Sequence, residues 1–309
     1  MLNNKIYDVA VIGAGPSGLT AAIYAKRAGL NVLVLEAESV GGQMALAPKI
    51  ENFPSIISTS GVDLANKMFD QILSLEIDFE LERLITLTKN ETFTLECEYS
   101  TFYAKSVIYA TGASHKKIGL PNEEELLGKG LSYCAVCDGA FYKGEEVAII
   151  GDGNSALQYA VELSNYCPKV YVCTLFDKFF GDDVLVQKIK NTSNIEIIHH
   201  LSLKELVGEE KLEKLVFENL QTKEDFELMI NGVFIAIGQI PHNEIIKDLV
   251  EINKAGYAVV NENLESEKTS GLFVAGDARD KKIRQVTTAM SDGAIAALSA
   301  LKYLNNHAN

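Results

Sequence analysis

Apolar runs of strand length alternate with segments of helical apolar spacing along this chain, and the same alternation occurs twice. Ile6 to Ile12 is a nearly continuous apolar run that leads into Gly13-Ala14-Gly15-Pro16-Ser17-Gly18. Leu19, Ala22, Ile23 and Ala25 then recur at the spacing of one helix face. Val147 to Ile150 repeats the arrangement, with Gly151-Asp152-Gly153-Asn154-Ser155-Ala156 as the loop and Ala156, Ala160 and Leu163 on the following helix. Each half also has a later apolar strand ending in glycine, Val107-Ile108-Tyr109-Ala110-Thr111-Gly112 in the first and Val233-Phe234-Ile235-Ala236-Ile237-Gly238 in the second. A last run, Gly271-Leu272-Phe273-Val274-Ala275-Gly276-Asp277, reads as a strand returning to the first half.

This pattern predicts an α/β protein of two Rossmann-like dinucleotide-binding domains, the second inserted into the first. The expected boundaries give one domain from residues 1–114 and 244–309 and an inserted domain from 115–243, with no low-complexity linker between them. A length of 309 residues and 47% hydrophobic composition suit two domains. The net charge of −14 argues against a general nucleic-acid or anionic-membrane surface. Two local basic runs, Lys116-Lys117 and Lys281-Lys282-Ile283-Arg284, read as solvated surface rather than docking sites. No apolar run reaches the length of a membrane span, and the N-terminus enters a strand pattern without a signal-peptide core, so the expected compartment is the cytosol. The five cysteines, an odd number, imply no structural disulfide framework there. Cys97, Cys167 and Cys173 read as buried thiols.

Cys134 and Cys137 differ from these three. They lie in Ser132-Tyr133-Cys134-Ala135-Val136-Cys137-Asp138-Gly139, between the two glycine loops. Two sulfurs at this spacing serve either as half a zinc site or as a redox pair. No second C-x-x-C or C-x-x-H completes four tetrahedral ligands, so no metal is expected. A turn entering a helix here would aim backbone N–H groups at one sulfur and raise its thiolate fraction. Asp138 follows at once, and a carboxylic acid beside the leaving sulfur can supply or accept the proton of thiol–disulfide exchange. The plainer reading of Asp138 is a helix cap, and the two roles are compatible.

In the first glycine loop, Gly13 permits the tight turn, Gly15 the approach of a pyrophosphate, and Gly18 close packing of helix on strand. Glu36 ends the next strand, eighteen residues beyond Gly18, where its carboxylate can accept hydrogen bonds from an adenosine ribose. The alternative is a structural glycine loop without a ligand. Pattern alone does not separate FAD from NAD.

From Tyr7 to Leu304 the chain resembles the low-molecular-weight thioredoxin reductases. The resemblance is carried by the N-terminal glycine loop, Gly41-Gly42-Gln43, Glu51-Asn52-Phe53-Pro54, Thr111-Gly112, the Cys134 to Gly139 run, Gly276-Asp277 and Arg284-Gln285-Val286. It implies that these segments hold FAD through Gly13, Ala14, Gly15, Pro16, Ser17, Gly18, Glu36, Gly41, Gly42, Gln43, Asn52, Thr111, Gly112, Gly276, Asp277, Arg284, Gln285 and Val286. Asp277 would meet the ribityl chain, and the helix beginning near Gln285 would aim its dipole at the flavin pyrimidine edge. Cys137 would face the flavin, Cys134 would attack thioredoxin, and Asp138 would handle the proton. Rotation of the inserted domain would let the same sulfurs meet both, and a homodimer is implied. Disulfide reductases of larger architecture place their cysteines soon after the first loop, and this chain has none there.

The second loop departs from this family. NADPH-dependent members carry a third glycine where this chain has Asp152, and a basic His-Arg-Arg-x-x-x-Arg run that here aligns with Thr174-Leu175-Phe176-Asp177-Lys178-Phe179-Phe180. Charge-assisted hydrogen bonds to phosphate are worth about 1.5–3 kcal/mol each, so losing two predicts NADPH binding weaker by roughly 10²–10⁴-fold. Asp152, Asp177, Asp182 and Asp183 would add repulsion. NADH lacks its usual acidic partner, because Cys173 or Thr174 stands at that place. The chain is similar in this respect to the ferredoxin-dependent flavin thioredoxin reductases, which keep FAD and C-x-x-C without the NADPH signature. Electron flow from a ferredoxin near about −400 mV to a thioredoxin near about −270 mV is downhill by roughly 6 kcal/mol for two electrons. The expectation is therefore an FAD-dependent enzyme passing electrons from ferredoxin through Cys134-Cys137 to thioredoxin. The alternatives are an NADPH- or NADH-dependent reductase with atypical nicotinamide recognition and, in another class, a flavoprotein redox sensor. A nicotinamide–ferredoxin oxidoreductase of similar fold would have no need of the cysteine pair.

Overall fold

The computed structural model describes residues 5–307 and divides into two compact units, Met1–Ser114 with Ile240–Asn309 and His115–Gln239. The first unit opens with β1 (Ile6–Ile12), α1 (Pro16–Arg27) and β2 (Val32–Glu36), followed by α2 (Gly61–Ser74) and β3 (Asp78–Leu81). An antiparallel meander of β4 (Leu84–Lys89), β5 (Phe93–Cys97) and β6 (Thr101–Tyr109) comes next. The chain then leaves along β7 (Ala113–His115).

The inserted unit holds β8 (Leu131–Ser132), α3 (Ala135–Asp138), β9 (Val147–Ile150), α4 (Asn154–Leu163), β10 (Val170–Cys173), α5 (Asp183–Lys190) and β11 (Ile195–Ile198). A meander of β12 (Leu201–Val207), β13 (Lys214–Asn219) and β14 (Asp225–Met229) precedes β15 (Gly232–Ile235). The chain returns along β16 (Gln239–Pro241), which pairs with β7. It adds the short pair β17 (Glu251–Ile252) and β18 (Ala258–Val259), then β19 (Leu272–Val274) and the long helix α6 (Val286–Asn306).

The first sheet has the order β3-β2-β1-β6-β5-β4, and β19 also joins β6. One strand serves two neighbours because β6 is nine residues long. Its start pairs with β5 (Phe93↔Ala104) and its end with β19 (Leu272↔Val107). Side chains alternate across the sheet, so Val9, Val11, Val32 and Val34 pack with α1 and α6 while Ala10, Ile12, Leu33 and Leu35 enter a second core with Leu87, Leu95 and Val274. The inserted sheet, β11-β10-β9-β15-β8, is wholly parallel. Val147, Ile149 and Phe234 face α4, and Ala148, Val233 and Ile235 face the meander. Burial on both faces explains why these strands read as continuous apolar runs. No helix among the described residues is long and apolar enough to cross a membrane.

Three details depart from the sequence reading. The second crossing falls between residues 239 and 240 rather than at 243. Asn243 already belongs to the first unit, where its Nδ2 donates to Gly256 O and Ala278 O, both at 2.8 Å. Cys97 is only half-buried, since β5 lies near the sheet edge, whereas Cys167 and Cys173 are buried. Lys281 is not a solvated residue: its side chain is 7% exposed and ion-paired.

Candidate redox and dinucleotide sites

In the first unit the glycine loop turns between β1 and α1, beside the carboxyl ends of β6 and β19. Gly13 has φ +101°, and a Cβ there would stand 2.6 Å from Ala110 O. A Cβ at Gly18 would stand 1.8 Å from Gly13 O, so only glycine lets the helix close on the turn. Gly15 is different, because no heavy atom lies within 4 Å of where its Cβ would be. Its hydrogen faces the space that a pyrophosphate occupies in this kind of turn.

Glu36 reaches this loop from β2. Its carboxylate accepts from Ala14 N at 2.7 Å and from Glu38 N at 2.9 Å, so it braces the turn with oxygens that retain lone pairs for a ribose. Gly41 N donates to Ala14 O at 2.8 Å, a Cβ at Gly42 would stand 3.6 Å from the Gly15 Cα, and the exposed Gln43 follows in the turn Gly42–Leu46. Thr111 is tied back through its Oγ1 to His242 O at 3.0 Å, and Gly112 has φ +70°. Gly276, at φ +76°, lies against Ser17, whose buried Oγ has no hydrogen-bond partner among the described residues. Asn52 Nδ2 donates to Gln285 Oε1 at 3.3 Å, and Gln285 precedes Val286, the first residue of α6. Arg284 stacks on Tyr257 at 4.2 Å from the ring centroid, and its buried Nε has no hydrogen-bond partner among the described residues. An open glycine face, a ribose acceptor and two unpartnered buried polar atoms fit a flavin dinucleotide.

A charged network missed in the sequence supports this wall. Asp292, 6% exposed on α6, accepts from Arg279 Nε and Nη2, each at 2.9 Å, from Lys281 Nζ at 3.2 Å and from Gly276 N at 3.1 Å. Lys281 Nζ also pairs with Asp277 Oδ1 at 3.0 Å. A signal existed: Asp292 shares the helical spacing of Ala289, Ala296 and Ala300, an acid on an apolar face.

In the inserted unit Cys134 and Cys137 form a disulfide with Cα atoms 5.3 Å apart. Cys134 caps α3, and Cys137 N donates to Cys134 Sγ at 3.2 Å, so the sulfur at which the backbone N–H points is that of Cys134. Asp138 does not cap this helix. It lies at its far end, where burial pushes its carboxyl above the ordinary range and a hydrogen bond from Ser132 Oγ at 2.6 Å opposes the rise. Tyr133 donates to the buried Glu123 at 2.6 Å, and Glu123 also accepts from Ile118 N and Gly119 N. Neither Ser132 nor Glu123 carried a motif that marked it in the sequence.

The second glycine loop is hydrogen-bonded to the 180–182 segment, while at Gly153, as at Gly15, no heavy atom lies within 4 Å of where a Cβ would be. Phe180 N donates to Asp152 O at 2.8 Å, and Asp182 N donates to Asn154 Oδ1 at 2.7 Å. The three positions aligned with the arginines of the NADPH-dependent members carry Leu175, Phe176 and Phe180, which are 47%, 49% and 57% exposed. Lys178 Nζ lies over the Phe180 ring at 5.1 Å from its centroid. Thr174 is buried, held by Phe176 O and His199 Nδ1, both at 2.7 Å. Among the described residues no group of His, Cys, Asp and Glu is placed to hold a metal ion.

The model of the pyridine nucleotide-disulphide oxidoreductase family matches residues 7–293. The chain belongs to this family. It is 42% identical over 308 residues to a 34.2 kDa protein in the rubredoxin operon of Clostridium pasteurianum, covering 98% of this chain and 99% of that one. It is 38% identical to a thioredoxin reductase of Bacillus subtilis, with 98% and 96% covered. Among solved structures, thioredoxin reductase from Streptococcus pyogenes superposes with a TM-score of 0.93 at 33% identity, over 98% of this chain and all of that one. The Streptococcus pyogenes structure shares this α/β fold. Two of these three proteins are described as thioredoxin reductases.

Proposed function

We propose that the protein is an FAD-dependent thioredoxin reductase, working as a homodimer, in which the Cys134–Cys137 disulfide is the group that thioredoxin meets. The carrying observation is the disulfide itself, with a backbone N–H on Cys134 Sγ and a half-buried acid, Asp138, at the end of the same helical turn. FAD, when bound, supplies a ring that accepts electrons singly or in pairs. Gly13 to Gly18, Glu36, Gln43, Asn52, Asp277 and Gln285 are the residues to hold it. Cys134 is assigned as the nucleophile toward thioredoxin, Cys137 as its partner toward the flavin, and Asp138 as the proton carrier.

The family and its relatives favour a nicotinamide, NADPH or NADH, as electron donor, bound through contacts other than the usual arginines. A second reading has reduced ferredoxin as donor. It is favoured by the 174–182 segment, where exposed Leu175, Phe176 and Phe180 replace cations and the glycine turn is hydrogen-bonded to Phe180 and Asp182. Anaerobic titration of the purified flavoprotein with NADPH, NADH and reduced ferredoxin, followed by oxidised thioredoxin, decides between the donors. Bleaching by ferredoxin alone with reoxidation by thioredoxin selects the second reading, and rapid bleaching by a nicotinamide selects the first. A single stoichiometric response without turnover would identify a sensor and end both.

A further inference from the structure

Asp138 has one side-chain hydrogen-bond partner among the described residues, Ser132 Oγ at 2.6 Å. Ser132 is itself fixed. It is 1% exposed on β8, and its strand is paired to β15 through Leu131↔Val233 and Ser132↔Phe234. The same hydroxyl oxygen accepts from Cys134 N at 3.0 Å and lies 3.4 Å from Cys134 O. A serine hydroxyl has one proton and two lone pairs, so these partners compete in a definite way. An ionised Asp138 can only accept, and Ser132 must then donate to it. A protonated Asp138 donates to Ser132 Oγ, which frees the hydroxyl proton to turn toward Cys134 O.

We propose that Ser132 is a positioning residue for proton transfer, which sets the proton affinity of Asp138 and couples its protonation to the backbone of Cys134. This rests on the reading of Asp138 as the proton carrier. When a dithiol reduces the protein disulfide, its thiolate bonds to one cysteine sulfur, the Cys134–Cys137 bond breaks, and the other sulfur leaves as a thiolate. That thiolate takes the Asp138 proton, and the Ser132 hydroxyl swings to the new carboxylate. The reductant's second thiol then displaces the first protein sulfur, which takes a proton from solvent. Two electrons have passed to the protein, and the reductant holds the new disulfide. The other titratable groups facing Asp138 are Tyr142, from the turn after α3, and Tyr159, from α4. Burial, assisted by the Asp138 charge, pushes both up to about 12, so they stay neutral while Asp138 titrates.

The test is the initial rate at which dithiothreitol reduces the disulfide of the holoenzyme, read by alkylation and mass spectrometry across pH. Asp138→Asn is expected to remove the pH step that belongs to the acid. Ser132→Ala is expected to move that step upward by about one to two pH units, the size of a hydrogen bond to a charged group. Ser132→Thr, which keeps the hydroxyl, is expected to leave the step in place. A step unmoved in Ser132→Ala but lost in Asp138→Asn overturns the role of Ser132 alone, and so does a threonine variant that behaves like alanine. A step that survives Asp138→Asn overturns the reading of Asp138 and this proposal with it.

Discussion

Gly15 and Gly18 stand three residues apart in one loop and are constrained by different things. At Gly18 the obstacle is the protein's own backbone, so Gly18→Ala is expected to destabilise the fold by about 1–3 kcal/mol, measured by urea unfolding. At Gly15 the protein leaves open space, so Gly15→Ala is expected to keep the apoprotein's stability while weakening FAD by at least about tenfold, or roughly 1.4 kcal/mol, read by flavin fluorescence. Asp138 offers a pH test at the same scale. Its folded-state pKa is raised above the ordinary value of 3.8, chiefly by burial. Its neutral form is the one that the fold favours, so its stabilising contribution is full below 3.8 and is lost as pH rises through the raised value. Denaturant unfolding of the oxidised protein across that window should show the loss in wild type, and Asp138→Asn should abolish it. Glycine positions and the cysteine pair were legible in the sequence because their spacing is local. Ser132 was not, because its significance comes from a strand register and a helix end that meet only after folding.

At the level of elements, the strands that carry the two glycine loops were readable to the residue, Ile6–Ile12 and Val147–Ile150, since burial on both faces makes them uninterrupted apolar runs. The short crossing strands β7 and β16 were not, as three residues carry no period. The Asp292 network shows what an element junction can hide. It fastens α6 to the Gly276–Ala278 turn, and Arg279→Ala would leave a buried carboxylate with Lys281 as its remaining cation. Urea unfolding is expected to show a loss of about 3–5 kcal/mol, the cost of breaking a buried pair. Replacing both partners together, Arg279→Met with Asp292→Leu, is expected to cost less than the single change. An equal or greater cost would mean that the pair contributes more than it spends in desolvation.

On the scale of the whole molecule, each unit has its own apolar cores: Val9, Leu19 and Phe273 in one, and Leu157, Val172 and Phe234 in the other. Calorimetry of the apoprotein is therefore expected to resolve two transitions. FAD at a hundredfold over its Kd should stabilise the first unit alone by about 2.7 kcal/mol, so one transition moves and the other stays. A single transition that shifts as a whole would show that the units unfold together. The twofold repeat made the two-unit plan readable from the chain, and the insertion was readable from the returning run at Gly271–Asp277. The tie between the second glycine loop and the 180–182 segment was not, because the bonds from Phe180 and Asp182 are made by backbone groups that every residue has.

The insertion also sets an order of birth. Residues 115–239 are contiguous, and every strand of the inserted sheet is synthesised before β19 and α6 of the other unit. The inner unit can thus mature on the nascent chain, while the outer one waits with the β6 edge that β19 will fill still open and with α1 lacking its α6 neighbour. On the proposed function, flavin capture would come last in synthesis, and chains cut short before residue 272 would carry a finished thiol domain beside an unfinished flavin domain.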